Sequence, residues 1–475
     1  MAACCLVAAG WVTGEEQAPQ LIRNAEVWGH GLADVRIEAG LIAEIGTLPP
    51  LPGEAVHDAC GGALLPGLHD HHIHLAATAV RRTSVPCGPP EVLDEAALAR
   101  ALARPGTGWI RGIGFHESVT GGKLPDRQTL DRIVPDRPLR IQHRTGRMWL
   151  LNSAAQDELL RCAAAPPGLN QQTGRLFDED AWLQQALGGT PPDLAALSQE
   201  LARCGITGVT DMSPRNGAVM AAHFAAQVDS GALAQRLVLA GAPELANVRA
   251  GQWRLGPLKL HLHEAAVPDF DASVDYLSAG RAQGRPVAIH CVTEVELVFA
   301  IALIEECGAM RGDRIEHASV APPALVARMA ALGVHVCVQP HFIAERGDHY
   351  LADVEPRHHD DLYRLRSLRD AGIAMAGGSD APYGSIDPWA AMRAAVRRTT
   401  SGGKVIGGEE ALTPEQALSL YLADPLDLTR QRRIAPGEPA DLCLLDRPWS
   451  EARERLDVRD VSAVWARNRP LRHRQ

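Results

Sequence analysis

The sequence predicts an α/β protein: a (β/α)8 TIM-type barrel, a small composite β-sandwich domain drawn from both chain ends, and an insertion after the first barrel strand. Three observations lead there. Short apolar β-rich runs alternate with long Ala/Leu-rich stretches through the second half of the chain, the pattern of βα units feeding a parallel sheet. Eight such runs can be counted, the number that closes a barrel. The two ends differ in texture, with brief β stretches such as LIRNAEVW, DVRIEAG, ADLCLLDR and VSAVWARN broken by Gly and Pro turns.

Taken in order, residues 1–16 are apolar but carry no leading Lys or Arg, so they read as a first strand rather than a signal peptide. Residues 1–62 and 432–475 are assigned to the shared β-domain, and the basic tail at 467–474 to a solvated end. The barrel domain spans 63–431, with strands expected at 63–68, 206–212, 237–242, 258–262, 287–291, 313–317, 334–339 and 373–377. Helical segments follow most of them, as at 294–306, 321–332 and 388–398. About 130 residues separate the first two strands, far more than one helix and its loops require. That excess, with strand-like WIRGIGF and LRIQHR and a Pro/Gly-rich stretch at 163–174, predicts an inserted subdomain at about 78–195 roofing the barrel mouth.

Composition limits the function classes. The chain has 475 residues, 46% of them apolar, enough to bury a large core. No run approaches the roughly 18 apolar residues of a membrane helix. A formal charge of −10 gives no footprint for nucleic acid. Ten cysteines without a CxxC pair suit reduced thiols in a cytoplasmic enzyme. Nineteen histidines, against nine Trp, five Tyr and six Phe, invite a search for metal ligands.

The strongest local signal is LLPGLHDHHIHL, an apolar strand running into four histidines. Strand alternation points His72 and His74 to one side and His69 and His71 to the other, so two imidazoles on one face can chelate one ion. Four later strands also end in a candidate ligand: Lys259 in GPLKLHLHE, His290 in PVAIHC, His317 in DRIEHAS and Asp380 in MAGGSDAPYG. Barrel enzymes place their chemistry at those strand ends. Each of these residues alone has a structural reading, Asp380 as a helix N-cap and Lys259 as an ion pair with Glu264 or Asp380. Their agreement at five strand ends does not.

This set resembles the amidohydrolase superfamily, which carries HxH after strand one, Lys after strand four, His after strands five and six, and Asp after strand eight. PGLHDHHIHL is similar to that family's PGxxDxHxHL, and ALTPEQALSLYLADPLDLTRQRRIAPGEPADLCLLDR to its last barrel helix and PGxxADLxxLD return. WIRGIGFHES, KLPDRQTLDRIVPDRPLRI and RPLRIQHRTGRMWLLNS resemble the inserted region of the third amidohydrolase family, a group that includes N-substituted formamide deformylases.

The resemblance implies that His72 and His74 hold one divalent ion, zinc before other divalent transition metals, and that His290 and His317 hold a second where two are present. It implies a carboxylated Lys259 bridging them. Asp380 would ligate the first ion, take a proton from the attacking water and pass it to the leaving amine. The implied reaction is hydrolysis of a C–N bond in a small-molecule amide, formamide or cyclic amide, by an enzyme expected to be cytoplasmic and a homodimer. A decarboxylase or other non-hydrolytic lyase would use the same cage. A non-catalytic barrel is disfavoured because every expected ligand position is filled.

Two departures bear on substrate: His116 stands before Glu117 where relatives have Asp, and Arg147 replaces a His before the WLLNS stretch. The expected pocket residues are His143 and Arg147, with Gln142, from the insertion, His263 after strand four, His341 after strand seven, and Tyr383 after Asp380. His261 and His263 either reach the site or stack structurally. Arg147 either meets an anionic substrate group or pairs with an acidic side chain.

Overall fold

The computed structural model describes residues 19–473 apart from 90, 190 and 468; the expected first strand at the N-terminus lies outside the described residues. Eight parallel strands form one sheet: β1 (Leu68–Ile73), β2 (Ile206–Asp211), β3 (Arg236–Gly241), β4 (Trp253–His261), β5 (Val287–Cys291), β6 (Arg314–His317), β7 (His335–Val338) and β8 (Met375–Gly377). Their order in the sheet is their order in the chain, and β8 returns to β1. The ring closes through the parallel bridge Ile73–Ala381, with Asp380 N donating to His72 O at 2.7 Å and His74 N to Ala381 O at 2.8 Å. Nearly every strand residue is buried, since a parallel sheet is covered on both faces, which is why these strands read as unbroken apolar runs.

Helices follow most strands, including Glu294–Cys307 after β5, Pro323–Leu332 after β6 and Pro388–Arg397 after β8. The one after β5 begins with a capping box, Thr293 and Glu296 each bonding the other's backbone N–H. After β3 the chain makes only a short 3-10 turn, Pro243–Asn247.

The first barrel strand lies later than 63–68. Ala63–Pro66 belongs to a separate mixed sheet, antiparallel to Leu442–Leu445 and parallel to Gln20–Val27. Pro66 has no N–H to extend a ladder, and Gly67 lets the chain cross between sheets: a Cβ there would lie 2.3 Å from the Thr207 side chain. The histidine-rich run is therefore within β1, not beyond it. The mixed sheet combines strands from both chain ends around Ile22, Val35, Leu64, Leu444 and Trp465. The tail expected to be a solvated end is instead its edge strand, Arg469–His473, paired with Val461–Ala466.

The chain divides into two compact units, residues 1–75 with 193–475, and residues 76–192. The second holds a six-stranded sheet, including Ile110–Phe115, Leu139–His143 and Met148–Leu151, over a core of Phe115, Leu130, Ile141 and Leu150. No helix among the described residues is long and apolar enough to cross a membrane.

Barrel closure depends on Gly378. A Cβ at this position would lie 2.5 Å from His72 Cβ and 2.7 Å from His72 N. Gly378→Ala should destabilise the protein by about 1–3 kcal/mol through overpacking. The measurement is the midpoint of urea unfolding, and a wild-type midpoint would show that β1 yields there.

Candidate metal centre

The C-terminal ends of the barrel strands gather imidazoles and one carboxylate. His72 and His74 leave the end of β1 with rings 5.4 Å apart, and their Nε2 atoms lie 3.4 and 3.3 Å from the same oxygen, Asp380 Oδ1. His317, at the end of β6, packs its ring 4.9 Å from His72 and 4.5 Å from His290 at the end of β5. One ligand atom each from His72, His317 and Asp380 falls within 4.8 Å of the others, and all three residues are buried. His317 (φ +75°) and Asp380 (φ +50°) hold left-handed backbone conformations that cost of order 1–3 kcal/mol each and gather at functional sites.

Hydrogen bonds fix which nitrogen of each ring is free to act as a base. The His72 Nδ1–H donates to Glu316 Oε2 at 2.6 Å, and the His317 Nδ1–H donates to Gln339 Oε1 at 2.7 Å. Burial drives the His72 imidazole down to about 3, so it is neutral, and burial lowers His317 as well. Each ring therefore keeps a lone pair on Nε2. His317 Nε2 is buried with no hydrogen-bond partner among the described residues. Burial alone would raise the Asp380 carboxyl, but the imidazoles of His317, His74 and His72 more than offset it and hold it well below the ordinary carboxylate range. Lone pairs and a carboxylate thus face one another in a buried space, an arrangement that a cation satisfies. Imidazole and carboxylate donors suit zinc and its neighbours.

Residues behind the donors hold them in place. Glu316 also accepts two bonds from the Arg314 guanidinium, whose Nη2 reaches His71 O at 2.9 Å. Asp70 Oδ1 accepts His72 N and Ser379 N, both at 3.0 Å, tying β1 to the turn that carries Asp380. Asp211 Oδ2 accepts Leu75 N at 2.7 Å just past His74. Glu296 accepts Val292 N and Thr293 N after β5 and Glu264 N after β4, fixing two strand ends at once. Of these, only Asp70 falls in a sequence motif, as the Asp of PGxxDxHxHL. The other visible signals were the Thr293-x-x-Glu296 capping box and the same-face charges Arg314 and Glu316 inside a buried strand.

The remaining expected residues are placed as follows. Lys259, on β4, is 2% exposed, and its Nζ has no hydrogen-bond partner among the described residues. It makes no ion pair with Glu264 or Asp380 there. Burial lowers its pKa, and its charge depresses those of His72 and His290. His261 stacks ring to ring on His290 at 4.2 Å, while His263 lies past β4 and caps the turn Glu264–Ala266 by accepting Ala265 N. The His341 Nε2–H donates to Ser379 O at 3.0 Å from a buried position. Tyr383 is 62% exposed, with its ring 5.9 Å from that of His74. In the second unit, Gln142 Nε2 donates to Gly146 O. There too, His143 Nε2 lies 3.2 Å and His116 Nε2 3.6 Å from Glu117 Oε2. Arg147 is paired with Asp178 and lies over the Phe177 ring.

The sequence profile of the amidohydrolase family matches residues 55–472. The chain belongs to the amidohydrolase family. It is 25% identical to the N-substituted formamide deformylase of Arthrobacter pascens over 87% of this chain and 90% of that protein. Its fold is that of an uncharacterized metal-dependent hydrolase from Pyrococcus horikoshii OT3, with a TM-score of 0.74 and 20% identity over 90% of this chain and 98% of that one. It also resembles N-isopropylammelide isopropylaminohydrolase from Burkholderia multivorans, with a TM-score of 0.55 and 18% identity over 96% and 99% of the two chains. As an amidohydrolase the protein is a metal-dependent hydrolase of small molecules, and His72, His317 and Asp380 form a group that could hold a metal ion.

Proposed function

We propose that this amidohydrolase cleaves the C–N bond of a small-molecule amide, formamide or cyclic amide by hydrolysis. The observation that carries the reading is the buried cluster in which Nε2 lone pairs of His72 and His317 converge with Asp380, each ring's other nitrogen being committed to Glu316 or Gln339. His72, His74 and Asp380 would hold one zinc ion and His290 and His317 a second, with Lys259, as a carbamate, a further ligand. Starting from the ammonium, carbamate formation would consume one carbon dioxide and release two protons, one to give the free amine and one as the N–C bond forms. It converts a buried, partnerless ammonium into an anion that two cations attract.

When bound, the metal supplies Lewis acidity, lowering the pKa of water from about 15.7 toward 7 and polarising the scissile carbonyl. The protein's own groups do the rest. Asp380 accepts the proton of the attacking water at Oδ and returns it to the departing nitrogen, which leaves as an amine. Glu316 and Gln339 keep His72 and His317 in the tautomer that offers Nε2. His263, His341 and Tyr383 are proposed to shape substrate binding. Likeness to an N-substituted formamide deformylase favours a formyl or short acyl group on nitrogen.

The test is metal content per chain, by elemental mass spectrometry on protein expressed with zinc and bicarbonate. Two equivalents should fall to one or fewer in Lys259→Ala, and formamides should be hydrolysed by the wild type alone. One equivalent in both proteins would mean a single-metal site with a structural lysine. None in either, with His72→Ala folding normally, would overturn the metal mechanism.

A further inference from the structure

A cavity of about 500 Å³ lies at the end of the barrel opposite Asp380, where the strands begin. Its walls include Thr207 and Gly208 of β2, Arg236 at the start of β3, and His69 of β1. The segment that follows the last barrel helix, Pro414–Leu422, covers it with Asp424, Pro425, Leu426 and Arg432. All of these residues belong to the barrel-containing unit.

Three arginines and three acids line the cavity, and two of each are bonded to one another. Arg236 is bonded to Asp441, and Arg433 Nε donates to Glu438 Oε1 at 3.2 Å. Arg432 makes no ion pair among the described residues. One of its nitrogens, Nη2, donates to Tyr421 O at 2.9 Å, while its Nε is buried with no hydrogen-bond partner among the described residues. Burial without a bonded counter-charge lowers its pKa to about 10, a value at which it is still a cation. Asp424, the one lining acid without an ion pair among the described residues, spends one oxygen on Leu426 N at 2.9 Å. Beside these polar groups stand Leu41, Pro425, Leu426 and Pro439, and Leu426 is 53% exposed at the rim.

We propose that this cavity is a second ligand site, taking a small monocarboxylic acid whose carboxylate meets the Arg432 guanidinium and whose hydrocarbon lies on Leu41, Pro425, Leu426 and Pro439. The volume falls within the range of small-molecule sites, roughly 300–1,000 Å³. The Arg432 guanidinium lines the cavity, and a guanidinium with no bonded acid is a carboxylate donor. A phosphate dianion is disfavoured because Asp424, Asp441 and Glu438 line the same space. An amine is disfavoured because the acid left without an arginine among the described residues, Asp424, already accepts Leu426 N.

Isothermal titration of the metal-loaded enzyme with acetate, butyrate and hexanoate, alongside hexylamine, hexanol and inorganic phosphate, tests the proposal. Affinity should rise with acid chain length, and hexylamine, hexanol and phosphate should bind far more weakly. Arg432→Gln and Leu426→Trp should each weaken hexanoate by about tenfold or more, the first by removing a charged donor and the second by filling the mouth from an exposed position. If Arg432→Gln fails to fold, Leu426→Trp decides alone. Hexanoate binding that survives Leu426→Trp places the acid elsewhere, including the metal centre, and overturns the proposal. Failure of every acid to bind, or tighter binding of hexylamine, overturns it equally.

Discussion

Asp380→Asn should lower kcat on a C–N substrate by about 10²–10⁴-fold, the range expected when a positioned proton-transfer group is removed. Asparagine matches aspartate in shape, so the turn that follows β8 should survive; that turn is held through its own backbone N–H groups, Asp380 N donating to His72 O at 2.7 Å and Ser379 N to the Asp70 side chain at 3.0 Å. The charge is what changes. The wild-type carboxyl is held ionised by the imidazoles of His317, His74 and His72, and an amide oxygen in its place cannot accept a proton at neutral pH. Metal content should fall less than in His72→Ala, because asparagine still presents an oxygen. Unfolding midpoint, metal content and single-turnover rate together separate the effects. If Asp380→Asn retains its metal and its kcat lies within about threefold of wild type, Asp380 is not the proton-transfer group, and another base must be sought.

The barrel was legible because a parallel sheet buries both faces of every strand and leaves apolar runs that periodicity can count. Its first strand was misplaced for the same reason. Residues 63–73 read as one continuous run, and only Pro66 and Gly67 mark where the chain leaves the mixed sheet and enters the barrel. The basic tail misled in the other direction: Arg469–His473 is an edge strand paired with Val461–Ala466, and basic residues are common on strands that must not recruit a further partner. Strand alternation placed His72 and His74 together and His69 with His71, whose rings lie 4.5 Å apart. Glu316 and Gln339 were not legible as site residues, because their role lies in what they touch across the barrel, at separations of 244 and 22 residues. Arg147 shows the limit of single-residue reading. Its charge is equally consistent with a ligand contact or an acidic neighbour, and the fold supplies Asp178.

Glu316→Gln should be the most damaging single change among the residues that touch no substrate in the proposed reaction. The side chain is fully buried between His72 Nδ1 at 2.6 Å and the Arg314 guanidinium, whose Nη2 lies 3.0 Å from Oε2. Glutamine keeps the size but removes the negative charge, leaving Arg314 as a buried cation without its counter-ion. Breaking such a pair costs about 3–5 kcal/mol. The introduced amide would also be free to turn its NH2 toward His72, which favours the ring flipped or with its proton on Nε2, the wrong tautomer for a ligand. Metal affinity should fall about 10–100-fold, as for other partners of metal-binding histidines. The pH dependence gives an independent check. Arg314 and His72 outweigh the effect of burial and hold the Glu316 carboxyl well below its ordinary value of 4.5. Its contribution to stability is thus fully present above about pH 4.5 and is lost as pH falls from there through the folded-state pKa. The wild type should lose stability across that acid range more steeply than Glu316→Gln, so the gap between their urea midpoints should narrow as pH falls. A gap that stays constant with pH would mean that the lost stability arises from packing rather than from charge.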